Sequence, residues 1–89
     1  MRDEKEHLLK EELRILAIKT RGYRGITQKE MAKLLSMAEG SYSDIESGEY
    51  MCGTLTAILL LSMQDDPSIF LTSIKEKFSE LYEKAMQPI

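Results

Sequence analysis

The chain has 89 residues, which suits one small domain. A hydrophobic share of 43% and a charged share of 30% are those of an ordinary globular protein and exclude a disordered or collagen-like chain. Net charge is −3, with a single cysteine (Cys52) and a single histidine (His7), so the composition supplies neither an internal disulfide nor the four ligands of a structural zinc site. The longest apolar run, 57–61, is far below the ~20 residues needed to span a bilayer. The opening MRDEKEHLLKEE lacks the apolar core of a signal peptide. The expectation is a cytoplasmic protein without cofactor or metal.

The first helix is predicted over about 3–21. Leu9, Leu13, Leu16 and Thr20 recur at spacings of three and four, with Leu8, Ile15 and Ala17 widening the stripe. Gly22 and Gly25 are expected to break it. The second helix has a sharp start: Thr27 and Glu30 form T-x-x-E, the spacing of a capping box. Ile26 before the cap and Met31 inside the helix are placed as a hydrophobic staple. Met31, Leu34 and Leu35 are expected to face inward, and Ala32 lets a neighbouring helix approach closely.

A short third helix is predicted over about 39–47, with Tyr42 and Ile45 inward, Met37 packing from the turn before it, and Gly48 ending it in a left-handed conformation. A fourth helix follows Thr54, with Leu55, Ile58, Leu59 and Ser62 on one face. It is apolar almost all round and is expected to be central. In the fifth, Asp66 is the cap and Pro67 the first helical residue. Phe70, Ile74, Phe78, Leu81 and Ala85 form its stripe, which either covers the chain's own core or pairs with a second copy, an interface that Tyr82 and Met86 would enlarge. The fold class is all-α, five helices, with a long one at each end, in one domain spanning 1–89.

The segment TQKEMAKLLSMAEGSYSDIESG, 27–48, resembles the helix-turn-helix of the Cro/repressor (XRE) family. The likeness rests on Thr27–Gln28 opening the second helix, Ala32 in its middle, Leu35 near its end, Met37 in the turn, and Ile45–Glu46 with Gly48 closing the third helix. Arg21 falls where that family has a helix-one arginine. The resemblance covers roughly 13–64 and implies a lambda-repressor-like arrangement with extended first and last helices. It implies that Arg21 pairs with Glu46, the alternative being a solvated Glu46. It also implies that Thr27 and Gln28 meet a DNA phosphate, and that Ala38, Glu39, Gly40, Ser41, Ser43 and Asp44 lie at the base edges of the major groove.

The chain departs from that pattern in instructive places. Ser36 stands where a turn glycine is usual, and Ala38 where a capping Ser or Thr is usual. A missing cap costs ~1 kcal/mol, unless Ser36, with Glu39 three residues on, caps a helix beginning earlier. Charge is also divided. Across 19–33 lie Lys19, Arg21, Arg24, Lys29 and Lys33 against Glu30 alone, a net of +4. Across 34–74 there is no basic residue, and Glu39, Asp44, Glu46, Glu49, Asp65 and Asp66 give −6. Phosphate contacts must therefore come from Arg24, Lys29 and Lys33.

The function expected is a DNA-binding transcriptional regulator that inserts its third helix into the major groove, as a homodimer on a palindromic operator in double-stranded DNA. The rival is a helix-turn-helix adaptor, an anti-repressor or toxin–antitoxin component, that binds protein and not DNA. Nothing points to an enzyme: His7 lies in a charged first turn, Cys52 has no histidine nearby in sequence, and Ser43–Asp44 has no base to complete a triad.

Overall fold

The computed structural model describes the backbone of residues 2–86, and side chains over 4–81 and at Glu83. Five helices follow in order: α1 (Arg2–Arg24), α2 (Gln28–Leu34), α3 (Glu39–Ser47), α4 (Thr54–Ser62) and α5 (Pro67–Met86). The described residues contain no strand. Among them, no helix is long and apolar enough to cross a membrane.

Three consecutive helices end in the same way. At α1, the Gly25 amide donates to the Gly22 carbonyl and the Ile26 amide to that of Arg21, with Gly25 at φ 65°. This is a Schellman ending, in which a left-handed residue satisfies the last free carbonyls. Gly22 therefore does not break α1, contrary to expectation: it is an ordinary helical residue, and the helix runs three residues beyond the predicted end. The same pair of bonds closes α3, through Gly48 at φ 83°. At α2 the left-handed position belongs to Ser36, at φ 56°, with Ser36 donating to Lys33 and Met37 to Ala32. A side chain there costs ~1–2 kcal/mol relative to glycine.

Starts are less uniform. Thr27 and Glu30 form the full reciprocal capping box on α2. Asp66 accepts from the Ser68 amide and opens α5. By contrast Ala38 starts α3 with no side-chain cap. Ser36 does not cap an earlier turn, because its backbone is spent on ending α2. Glu39 in the first turn of α3 offsets part of this loss through the helix dipole.

The core gathers Leu13 and Ala17 of α1, Met31 and Ala32 of α2, Leu35, Tyr42 of α3 and Leu60 of α4. Ile26, Met37, Cys52 and Phe70 pack around it. Ala17 and Ala32 are nearly inaccessible, so their missing side-chain bulk sets how closely the helices approach. Long side chains such as Met31, Leu35 and Leu60 each contribute about 1.5–3 kcal/mol through burial. On α5, Ile74 is buried and Phe70, Phe78 and Leu81 are half-buried. Lys77 of α5 bonds to Glu12 of α1, joining the two long helices. The side chains of Tyr82, Ala85 and Met86 lie outside the described residues.

Two expected faces are corrected. Leu34 points outward, 51% exposed, because Met31, Ala32 and Leu35 already fill the inner side of a seven-residue helix. On α4 the inward residues are Thr56 and Leu60, flanked by Ala57, Leu59 and Met63. Leu55 and Ile58 are 67% and 59% exposed, so α4 is a peripheral helix and not a central one. An all-apolar helix offers no polar face to fix its rotation, and periodicity alone picked the wrong side.

The turn between α2 and α3 thus holds two local costs. Ala38→Ser should add about 1 kcal/mol of stability by capping α3, and Ser36→Gly up to about 1 kcal/mol by relieving the left-handed backbone. Urea denaturation of each variant against the parent checks both values. A loss of stability in either would show that the turn is held by contacts other than these.

Candidate nucleic-acid interface

The orientation of α3 is set by one carboxylate. Glu46, buried on the inner side of α3, accepts from Arg21 Nε at 2.6 Å and Nη2 at 3.0 Å. Gln28 Nε2 donates to the same carboxylate at 3.0 Å, and the Tyr42 hydroxyl donates to its Oε2. The four groups come from α1, α2 and α3. Arg21 also donates to the Ile26 carbonyl at 3.2 Å, and Arg14 to the Glu46 carbonyl at 3.3 Å. Among the described residues, every buried side-chain nitrogen or oxygen has a partner. Burial raises the pKa of Glu46, but hydrogen bonds from Arg21, Tyr42 and Gln28 outweigh it and leave the carboxyl below its ordinary value. Burial, then the bond to Glu46, raises Tyr42 well above the usual phenol range.

With its inner face held, α3 shows its leading end to solvent. Ala38, Glu39, Gly40 and Ser41 are exposed, and Ser43 and Asp44 are half-exposed. No neighbouring atom lies within 4 Å of where a Gly40 side chain would begin, so packing does not require glycine there. Lys29 and Lys33 are exposed on α2, four residues apart and so on one face of that helix.

Other predicted residues are placed differently. The Gln28 amide is turned inward to Glu46, not free for an outside ligand. Arg24 is exposed but donates to the Met63 carbonyl at 3.4 Å, at the end of α4. The Thr27 side chain is occupied by the Glu30 amide. Of the six acids that make 34–74 negative, Glu46 is buried against Arg21 and Asp66 is engaged as a cap. Glu39, Asp44 and Glu49 remain on α3 and just past it, and Asp65 is exposed in the turn between α4 and α5.

Sequence reasoning missed Tyr42 and Gln28 as partners of Glu46. The spacing of Tyr42 and Glu46, four residues on one helix, was a usable signal. Arg14 and the Glu12–Lys77 pair gave none, since their partners are distant in the chain. Cys52 packs half-buried against the core, and burial pushes its thiol pKa up. Among the described residues no group of three or more His, Cys, Asp or Glu side chains could hold a metal ion.

The Glu46 cluster carries a pH signature. A carboxyl whose folded pKa is depressed contributes stability that is complete above the ordinary value of about 4.3. That contribution is lost as pH falls through the lower folded value. Glu46→Gln should cost about 2–3 kcal/mol at neutral pH, because the amide leaves charged and buried donors poorly matched. It should also flatten the fall in stability below about pH 4.3, leaving the share of Glu11 and Glu30, whose pKa values are held down by Arg14 and by the Thr27 amide. Urea melts across acid pH test this; parallel profiles for parent and variant would refute the assignment.

Comparison with known proteins finds no family model, no curated protein and no solved structure that matches this chain.

Proposed function

We propose that the chain is a sequence-specific DNA-binding regulator of the Cro/repressor type. In this reading α2 and α3 form a lambda-repressor-like helix-turn-helix, and α3 enters the major groove of double-stranded DNA as part of a homodimer. The observation that carries it is the exposed leading turn of α3 on a helix whose other face is fixed by Glu46. A reading element needs that combination: accessible side chains and a backbone whose direction does not wander. Lys29 and Lys33 supply the phosphate contacts, and Ser41 and Ser43 the neutral polar groups for base edges. Gln28 acts here by bracing Glu46, not by gripping a phosphate. Arg24 contributes long-range attraction only.

The acids on α3 favour a second reading, a protein-binding adaptor. Glu39 and Asp44 carry the only charges on the outer side of α3, and both oppose a phosphate backbone. Against this, Glu39 has a structural role in the first turn, and a carboxylate accepts a hydrogen bond from cytosine N4.

The two readings part in a binding experiment. Fluorescence anisotropy on genomic fragments should show retention that weakens steeply with salt. Each lost phosphate contact lowers the log–log slope by about 0.9, so Lys29→Glu with Lys33→Glu should reduce it by about 2 per subunit while the far-ultraviolet circular dichroism stays unchanged. Binding with a flat salt dependence, or binding indifferent to the charge reversal, would remove DNA from the account and leave the adaptor.

A further inference from the structure

Gly40 is a residue of α3 that folding alone does not explain. Glycine is among the weakest helix formers, and nothing lies within 4 Å of where its side chain would begin. It stands on the outer side of α3, opposite the buried Tyr42, Ile45 and Glu46. At helical spacing it shares that side with Ser43, Asp44 and Ser47. A helical side chain leans toward the N-terminus, so Asp44 lies over the turn that holds Gly40. The result is a gap in the side-chain layer with one carboxylate at its edge.

That carboxylate is uncommitted. The bonds that Asp44 makes run through its carbonyl, which accepts from the Ser47 hydroxyl and from the Glu49 and Tyr50 amides. Its side chain takes part in none of them. The aspartate side chain is short, so a partner group meets it only if the partner's surface comes close to the backbone of α3. Gly40 and the two serines permit that approach, and a larger residue at position 40 would obstruct it.

If α3 enters the major groove, as proposed, the approaching surface is a row of base edges; the inference rests on that reading. Guanine offers only acceptors there, N7 and O6, which call for Arg or Lys. Residues 34–74 contain neither. Adenine offers its N6 amino group, but acceptors flank it on both sides, N7 on its own ring and thymine O4 across the pair. A carboxylate meeting N6 is repelled by both. Cytosine offers its N4 amino group beside a C–H, free of an acceptor on that side. We propose that Asp44, seated over the Gly40 gap, selects cytosine in the bound DNA by accepting a hydrogen bond from N4.

Selection of bound duplexes from a random library by the full chain at low salt is the test. The selected half-site should hold a cytosine that the parent requires, with any other base there weakening binding about fivefold or more. Asp44→Asn, whose amide matches adenine N6 and N7, should move the preference at that position to adenine. N4-methylcytosine, which removes the groove-facing N–H and keeps the base pair, should weaken binding of the parent about fivefold or more and leave that of Asp44→Ala unchanged. Gly40→Leu should hold or raise the urea midpoint, since leucine is the better helix former, yet lose the preference for cytosine. Salt-dependent binding in which no position answers to Asp44→Asn, or binding by the parent indifferent to N4-methylation, would overturn the cytosine assignment and leave the DNA reading intact. A chain that retains no duplex at any salt would overturn both.

Discussion

The arrangement of the first three helices depends on the Glu46 carboxylate. Arg21, Gln28 and Tyr42 all donate to it, one from each of α1 and α2 and one from its own helix. Apolar packing of Leu13, Ala17, Met31, Leu35 and Tyr42 supplies most of the stabilisation but is tolerant of angle. A carboxylate with three directional donors is not. Desolvation offsets much of its attraction, so the cluster is better understood as fixing geometry than as adding stability. Replacing it by apolar residues of similar volume would keep a helical bundle and release the direction of α3.

This hub also changes how the charge pattern is to be understood. Counted along the chain, the segment after Lys33 is wholly acidic. In space the acids divide by role: Glu46 is neutralised from α1, Asp66 caps α5, and Glu39 offsets the dipole of an uncapped helix. What is left on the outer side of α3 is less negative than the linear count. The positive side is smaller too, because Arg21 is consumed inside and Arg24 is drawn to the Met63 carbonyl. The electrostatic case for DNA therefore rests on Lys29 and Lys33.

Legibility followed the range of the interactions. The capping box at Thr27, the left-handed Gly48, the Asp66–Pro67 start and the inward Tyr42 and Ile45 are local rules acting within one turn, and the sequence displays them. The pairing of Arg21 with Glu46 was legible only through a resemblance, since its members lie 25 residues apart. The rotation of α4 was legible only in part: Leu59 packs against the core as expected, while Leu55 and Ile58 face outward. It carries no charge to mark an outer face, and its buried side includes Thr56 while Leu55 and Ile58 stay outside, so which neighbours offer space decides its rotation. The end of α1 was misplaced because Gly22 and Gly25 look alike in sequence, while only Gly25 takes a positive φ.

The places where this chain breaks local rules are not scattered. Ser36 occupies a left-handed position, Ala38 leaves a helix uncapped, and Gly40 sits in a first turn where nothing crowds it. All three fall within five residues, at the leading end of α3. Exposed apolar side chains are spread more widely, over Leu34 of α2, Leu55 and Ile58 of α4, and Ile69 and Leu71 of α5. Elsewhere the buried polar groups are satisfied and the glycine-ended helices are regular. Local rules tend to fail where a surface answers to something other than folding. A bare backbone and small side chains at the start of α3 suit close approach to another molecule's surface. That turn opens a helix whose inner face is held by the Glu46 cluster between α1, α2 and α3, so its exposure leaves the core intact.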